Sequence, residues 1–360
     1  MVTGGLRQSA FDFFWDALYP RLEQFASGDD SVRSLLETGD YKPQFAGHET
    51  FTLRYGWLKK AFDAVSSYKS KEKPDPNSIF NDDASIADFG VGKNMVQSIR
   101  HWALAAGILR LGETESGSHR LEVSDLGKLI FDEDGDPFLE HPGTLWLAHW
   151  HLASNPNRTT TWYWAFNELN ESTFDRDLLV QRLWARIESL RENGRMKETR
   201  LSQTTVRRDV ECFVRTYLAK LQSAKGLHEE NLESPLAELS LINPMGVGGG
   251  FQFRRGPKPT LPDEVFLYGL VGFWQALYPK RREFSVEALS HEPGSPGRVF
   301  LMDEESVAER LSNLADLTRN RIRWDESTGL RQVSAQDIMS IDPLESVRNL
   351  YAAASIPRAA

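Results

Sequence analysis

The chain has 360 residues, 40% hydrophobic and 26% charged, which suits two or three packed domains and excludes a disordered polymer. Its net charge of −9 excludes a protein that coats nucleic acid through a uniformly basic surface, and leaves room for local basic patches or for help from partners. One cysteine, Cys212, excludes an internal disulfide and a multi-cysteine zinc site, and with no membrane-length apolar run and no secretory signal pattern a cytoplasmic location is expected.

Ser9 to Phe25 carries Phe11, Phe14, Leu18, Leu22 and Phe25 at helical spacing, which predicts an amphipathic helix. Pro43 and Gly47 then break regular structure, and Phe51 to Tyr68 reads as helix again. His48, Glu49 and Arg54 stand out in this stretch. A histidine, a carboxylate and an arginine can act as base, metal ligand and phosphate clamp in phosphodiester cleavage. Equally, Glu49 and Thr50 can cap the following helix while His48 bonds to backbone.

The chain is organised around Asn81 to Ile130. Ala84 to Phe89 predicts a short helix, Gly90-Val91-Gly92 a sharp turn, and Lys93 to Ala106 a second helix. Met95, Val96, Ile99, Trp102, Ala103 and Ala106 form its apolar face, while Lys93, Asn94, Gln97, Ser98, Arg100 and His101 lie opposite. Gly107 suits the left-handed stop. Two β-rich runs follow, Ile108 to Leu111 and Arg120 to Val123. Helix, turn, helix and hairpin in this order make a winged helix, which sets a polar helix in the major groove and a basic wing on phosphate. Winged helices also serve as protein–protein modules. The Gly90-Val91-Gly92-Lys93-Asn94 run lacks the first glycine and the hydroxyl of a phosphate loop, so ATP is not expected there. A glycine turn opening a helix still offers N–H groups to a DNA phosphate.

Ser124 to Phe131, Thr144 to Ala153, Trp162 to Leu169 and Phe174 to Glu192 are the next predicted helices. His149 and His151 sit two apart, so on a helix they point away from each other and do not share a metal. Leu201 to Leu221 resembles another helix–turn–helix half, with Ser202 or Thr204 as cap and Cys212 on the apolar side. Its outward Arg207, Arg208, Glu211 and Arg215 fit either a solvated face or DNA contact. Asn243 to Pro259, with five glycines and three prolines, excludes a regular helix. Phe251 and Phe253 beside Arg254, Arg255 and Lys258 suit either base stacking with phosphate pairing or a plain interdomain linker. Helices over Val265 to Tyr278 and Asp303 to Thr318, then hairpin runs Arg321 to Trp324 and Leu330 to Val333, predict a second winged-helix-like unit. Glu304, Glu305 and Glu309 on its helix point to a protein-facing role. No metalloprotease, nuclease, hydrolase or dinucleotide signature is present.

Phe45-Ala46-Gly47-His48-Glu49-Thr50-Phe51, with Arg54-Tyr55-Gly56-Trp57-Leu58-Lys59-Lys60 and Gly90-Val91-Gly92-Lys93-Asn94-Met95, resembles the domain-of-unknown-function 4007 family from about Tyr41 into the C-terminal third. Members of that family look like the B component of Ssp-type DNA phosphorothioation systems. The resemblance implies a DNA nickase that opens one strand so that sulfur can replace a non-bridging oxygen. It also implies partners: a cysteine desulfurase, an ATPase and an ATP-pyrophosphatase-like sulfur-transfer protein.

The expected fold is therefore mainly α with small β-hairpins (α+β), two winged-helix-like units joined by a helical middle region. The expected boundaries are a winged-helix domain over 1–139, a helical region over 140–242, a basic loop over 243–261 and a winged-helix-like domain over 262–360. His48, Glu49 and Asp88 are the catalytic candidates. Arg54, Lys93, Asn94, Gln97, Arg100, Arg120, Arg207, Arg208, Arg254 and Arg255 are the candidates for contact with double-stranded DNA. A nickase would use a divalent metal, magnesium or manganese, with no ligands assigned. The alternative is a non-catalytic DNA-recognition or regulatory subunit of the same complex. No membrane partner is expected.

Overall fold

The computed structural model describes residues 34–38, 43–68, 79–81, 84–113, 119–132, 135–196, 201–218, 234–246, 248–327 and 329–354. The amphipathic segment expected over 9–25 lies outside them. Helix α1 (Trp57–Ser66) buries Trp57, Leu58, Ala61, Phe62 and Val65, one stripe laid on the core. It starts later than the periodicity predicts. Thr50 is left-handed at φ 69°, residues 51–54 have no regular structure, and Gly56 at φ 76° turns the chain into the helix.

Helix α2 (Ala84–Phe89), the Gly90 turn at φ 64° and α3 (Lys93–Ala105) follow as expected. Gly107 at φ 74° ends α3, and Ile108 N–H closes back on Ala103 O at 2.9 Å. Strands β1 (Leu109–Glu113) and β2 (His119–Val123) pair antiparallel, with Arg120 opposite Gly112. Helix α4 (Asp125–Phe131) is capped by Ser124 Oγ, which accepts from Gly127 N–H at 2.8 Å.

Helix α3 is not amphipathic in the way its sequence suggests. Ser98 and His101 are buried together with Val96, Ile99 and Trp102. The cause is tertiary: the middle of the chain packs over the C-terminal half of α3 and leaves the first turn open.

That middle region holds α5 (Pro142–Ser154), buried on every side from Gly143 to Ser154, and α6 (Thr160–Asn167), buried throughout. The predicted Phe174–Glu192 helix begins instead with strand β3 (Thr173–Phe174), then α7 (Arg176–Glu192). Helix α8 (Gln203–Tyr217) is capped by Ser202, one of the two expected caps. Cys212 is buried in its apolar face, as expected.

The Gly/Pro-rich stretch is neither a stacking platform nor a plain linker. Strands β4 (Ile242–Pro244) and β5 (Phe251–Phe253) join β3 in a sheet ordered β3-β5-β4. The two-residue period of a strand turns both phenylalanines inward and Gln252 outward. Phe253 packs 4.7 Å from Phe174 and 5.7 Å from Phe166, ring to ring.

Beyond it come α9 (Asp263–Leu277), β6 (Glu283–Ser285), α10 (Val286–His291), α11 (Pro296–Val299), α12 (Glu304–Leu317), β7 (Ile322–Ser327) and β8 (Leu330–Ala335). Their strands form a sheet ordered β6-β8-β7. An unforeseen helix, α13 (Pro343–Ala354), packs along α9. The architecture is thus mainly helical with small antiparallel sheets. One hydrophobic cluster runs from Leu35 to Tyr351 across all the expected segments. Among the described residues no helix is long and apolar enough to cross a membrane.

Candidate functional site

Three non-glycine residues within the Phe45–Phe51 block have left-handed backbone: Ala46 at φ 61°, Glu49 at 48° and Thr50 at 69°. Each such residue costs of order 1–3 kcal/mol and persists only where its surroundings over-determine it. Here the surroundings are α8, α6 and α3. Asp209 of α8, 2% exposed, takes most of the load. Its Oδ1 accepts from Ala46 N–H at 2.7 Å and from His48 Nε2 at 2.8 Å, and its Oδ2 accepts from the Thr161 hydroxyl. The Arg215 guanidinium donates to Thr50 O. Phe51 O accepts from the Trp102 indole at 3.0 Å and from the Cys212 thiol at 3.4 Å.

His48 is 1% exposed. Its ring stacks on Trp102 at 6.0 Å and meets the edge of Trp162 at 5.8 Å. Burial opposes a charge on it, but the Cys212 sulfur and the Asp209 carboxylate outweigh that and raise His48 to about 10. Thr50 N–H, 3.1 Å from Nδ1, favours the neutral ring instead. The carboxylate decides: leaving a buried charge uncompensated costs about 3–5 kcal/mol, against about 1 kcal/mol for one backbone hydrogen bond. His48 is therefore an imidazolium locked to Asp209.

The next shell is cationic. His101 of α3 lies edge-on to His48 at 6.0 Å. It crowds Gly47 so closely that a Cβ there would sit 2.5 Å from His101 Nδ1. His101 stays neutral, held well below its usual value by burial and then by the charges of His48, Arg158 and Arg100. Arg158, in the α5–α6 connection, is lowered to about 10 by burial and by Arg100.

The expected site residues do not converge on one point. Glu49 is exposed beside His48, whereas Asp88 is exposed on α2, at the opposite end of α3 from His101. Eight residues of α-helical rise, from Lys93 to His101, make that separation about 12 Å. Arg54 is 7% exposed, its guanidinium 5.5 Å from the Phe51 ring and 5.2 Å from the Trp57 ring. Lys93 and Asn94 are exposed on the first turn of α3. Gln97 is half-buried and its amide donates to Phe80 O and, at 3.2 Å, to Asn81 Oδ1. Arg100 is half-buried, and Arg120 is exposed on β2. Arg207 pairs with Asp177 at 2.6 Å, and Arg208 is exposed. Arg254 and Arg255 are exposed, and Arg255 donates to Met302 O at 3.1 Å. Neither Glu49 nor Thr50 caps a helix, since the helix that follows begins at Trp57 with Gly56 as its cap residue.

His149 and His151 have separate partners. His149 Nε2–H donates to Val299 O and Nδ1 accepts from the Tyr217 hydroxyl, both at 2.8 Å. His151 Nε2 pairs with the Tyr268 hydroxyl at 2.9 Å. Burial lowers both histidines to about 3, so both are neutral.

Sequence reasoning missed Asp209, Thr161 and Arg158. For Asp209 the signal was present: it stands between Val206 and Val210 on the buried stripe of α8, where an unpaired carboxylate has no place. Arg158 lies in a polar loop and gave no signal.

No curated protein matches the chain. Two solved structures share its fold. One, described as a magnesium ion-bound SspB crystal structure, is 26% identical, with a TM-score of 0.73 over 90% of this chain and 92% of that one. The other, an SspB crystal structure, is 28% identical with the same TM-score and coverage. The family model described as Protein of unknown function (DUF4007) matches residues 45–351, from inside the His48 loop to the last helix, and the chain belongs to that family.

Proposed function

We propose that this chain is the SspB-like, DNA-acting component of a bacterial DNA phosphorothioation system, and that it nicks one strand so that sulfur can enter the backbone. The observation that carries this reading is the likeness to SspB over 90% of the chain, one of the two structures holding a magnesium ion. On this reading the partners are double-stranded DNA, a cysteine desulfurase, an ATPase and a sulfur-transfer protein, in the cytoplasm.

The two ends of the fold support a pair of winged helices. Elements α9, β6, α10, α12, β7 and β8, with a β6-β8-β7 sheet, follow the order of that motif, and α1, α2, α3, β1 and β2 follow it without the first strand. In the N-terminal unit, Gly92 leaves the start of α3 without a side-chain cap, beside exposed Lys93 and Asn94. Backbone N–H groups at such an end suit a phosphate. Arg120 supplies the wing contact.

Among the described residues no three His, Cys, Asp or Glu side chains gather as a metal cage. Magnesium commonly takes one or two carboxylates and fills its shell with water and substrate phosphate. Exposed Glu49 and Asp88 could each offer one carboxylate to such an ion, but they lie too far apart to share one. His48, enclosed and held by Asp209 through Nε2, acts as a positioning residue for the Glu49 loop. Conversion of supercoiled plasmid to open circle, with magnesium or manganese and with chelator, tests the reading. Glu49→Gln and Asp88→Asn, tested separately, should abolish it in one case and leave it in the other, since one ion cannot take both carboxylates. If the pure protein and the protein with its partners both leave the plasmid supercoiled, the nickase reading is lost.

The second reading, a non-catalytic DNA-recognition subunit, is favoured by the enclosure of His48 and the lack of a three-donor cluster among the described residues. It predicts a gel shift with duplex DNA and no nicking under any metal.

A further inference from the structure

The connection between α4 and α5 turns an aromatic ring outward. Phe138 is 73% exposed, the most exposed large apolar side chain among the described residues. A lone exposed apolar side chain needs no explanation by itself. Here the backbone is shaped to produce one. Leu139 is left-handed at φ 59° and 4% exposed, a conformation rare for a leucine, and its side chain goes inward while the ring beside it stays outside. The buried Asp136 carboxylate fixes that shape. Its Oδ1 accepts from Glu140 N–H and its Oδ2 from His141 N–H, both at 2.9 Å, and Oδ2 also accepts from the Thr144 hydroxyl of α5 at 2.6 Å. Leu139 N–H closes on Asp136 O at 3.2 Å, and Asp136 N–H on Ile130 O of α4 at 2.6 Å. Phe138 thus stands on a braced mount, and an anchor already held in place loses little freedom on docking.

Its surroundings are acidic. Asp132 and Glu140 are exposed on either side of it along the chain. Asp132 to Glu140 carries five carboxylates, and Leu129 to Asn157 has no lysine or arginine. Lys128, just before that run, is paired with Asp125 at 2.9 Å. We propose that Phe138 anchors a docking surface for a partner protein whose apolar pocket is bordered by lysine or arginine. A central aromatic carries a large share of the affinity of an interface, and cations at the pocket rim meet both the ring face and the carboxylates around it. The same carboxylates repel a phosphate backbone, and a second copy of this chain brings the same turn and the same charge of −9. The chemistry of the pocket follows from the turn; the choice of proteins to try rests on the phosphorothioation reading above.

The full chain is titrated separately with the purified cysteine desulfurase, ATPase and sulfur-transfer protein of that reading. One of the three should bind, with affinity that falls as salt rises. Phe138→Ala should weaken it about thirtyfold, as the loss of a central aromatic does, and Glu140→Gln should flatten its salt dependence. Phe138→Ala should leave Tm and duplex DNA binding unchanged. A fall in Tm would mean that the ring is covered within this chain, and a loss of duplex affinity would make it a wedge for DNA; either overturns the proposal. So does parental affinity in Phe138→Ala, or binding by none of the three proteins. A plasmid that stays supercoiled beside a partner bound through Phe138 sinks the nickase reading alone.

Discussion

At the scale of single residues, Asp209 holds the left-handed loop in place. Removing it strands the Ala46 N–H, the Thr161 hydroxyl and the His48 imidazolium together. Asp209→Ala should therefore destabilise the fold by about 3–5 kcal/mol in denaturant unfolding, the cost of breaking a buried pair from one side. The pair also sets a pH dependence. His48 is raised from 6.5 to about 10, so its contribution is complete below pH 6.5 and disappears as pH rises through about 10. The parent should lose stability across that window relative to His48→Gln, and the difference between the two curves isolates this group from the other alkaline titrations. A parent whose advantage over His48→Gln grows with pH would refute the imidazolium. None of this is legible when His48 is read with its sequence neighbours. Glu49 and Arg54 stand close along the chain, but the partner that matters lies 161 positions away.

Among the secondary elements, glycines separate local from tertiary causes. Gly90 and Gly107 both have positive φ, yet a Cβ on Gly90 meets nothing within 4 Å while one on Gly107 would sit 2.6 Å from His151 Nδ1. Gly90→Ala should cost about 1–2 kcal/mol, the strain of left-handed backbone alone. Gly107→Ala adds a clash with a buried ring, worth about 1–3 kcal/mol more. Equal shifts in Tm for the two variants would show that the α3–β1 corner relaxes freely. The same distinction explains what the sequence disclosed. The Ser202 cap, the Gly90 and Gly107 turns and the apolar stripes of α3, α7, α8 and α12 are local, and they were readable from spacing, whereas the cap expected at Glu49 and Thr50 was not formed. The enclosure of His101 was not readable, because it is imposed by the His48 loop, while Trp102 beside it meets Trp162 of α6. The fate of Phe251 and Phe253 was half-visible: their alternation is a strand signal, but glycines and arginines around them suggested an open loop. Helix α13 passed unseen because its apolar face has meaning only against α9 and α5. The Tyr351 hydroxyl donates to Thr144 Oγ1 at 2.9 Å, and Thr144 donates to Asp136 at 2.6 Å.

For the whole molecule, the charge of −9 must coexist with a proposed DNA contact. A protein with this balance repels the duplex at long range, so affinity must come from a small footprint in which each exposed cation counts. Not every arginine qualifies. Arg207 is neutralised by Asp177 at 2.6 Å, and Arg54 lies under two aromatic rings. Lys93, at the open start of α3, has no such engagement among the described residues. Lys93→Gln should weaken duplex binding and reduce the slope of log affinity against log salt by about one, as expected when a single phosphate is no longer neutralised. Arg207→Gln should leave the slope unchanged, because its charge is already matched by Asp177. The slope is the better readout here, since it counts phosphates directly and is insensitive to a modest loss of folded protein. If both variants shift it equally, the helix opened by Gly92 is not the element that meets the DNA, and the contact must be sought at the exposed arginines of the β5–α9 connection.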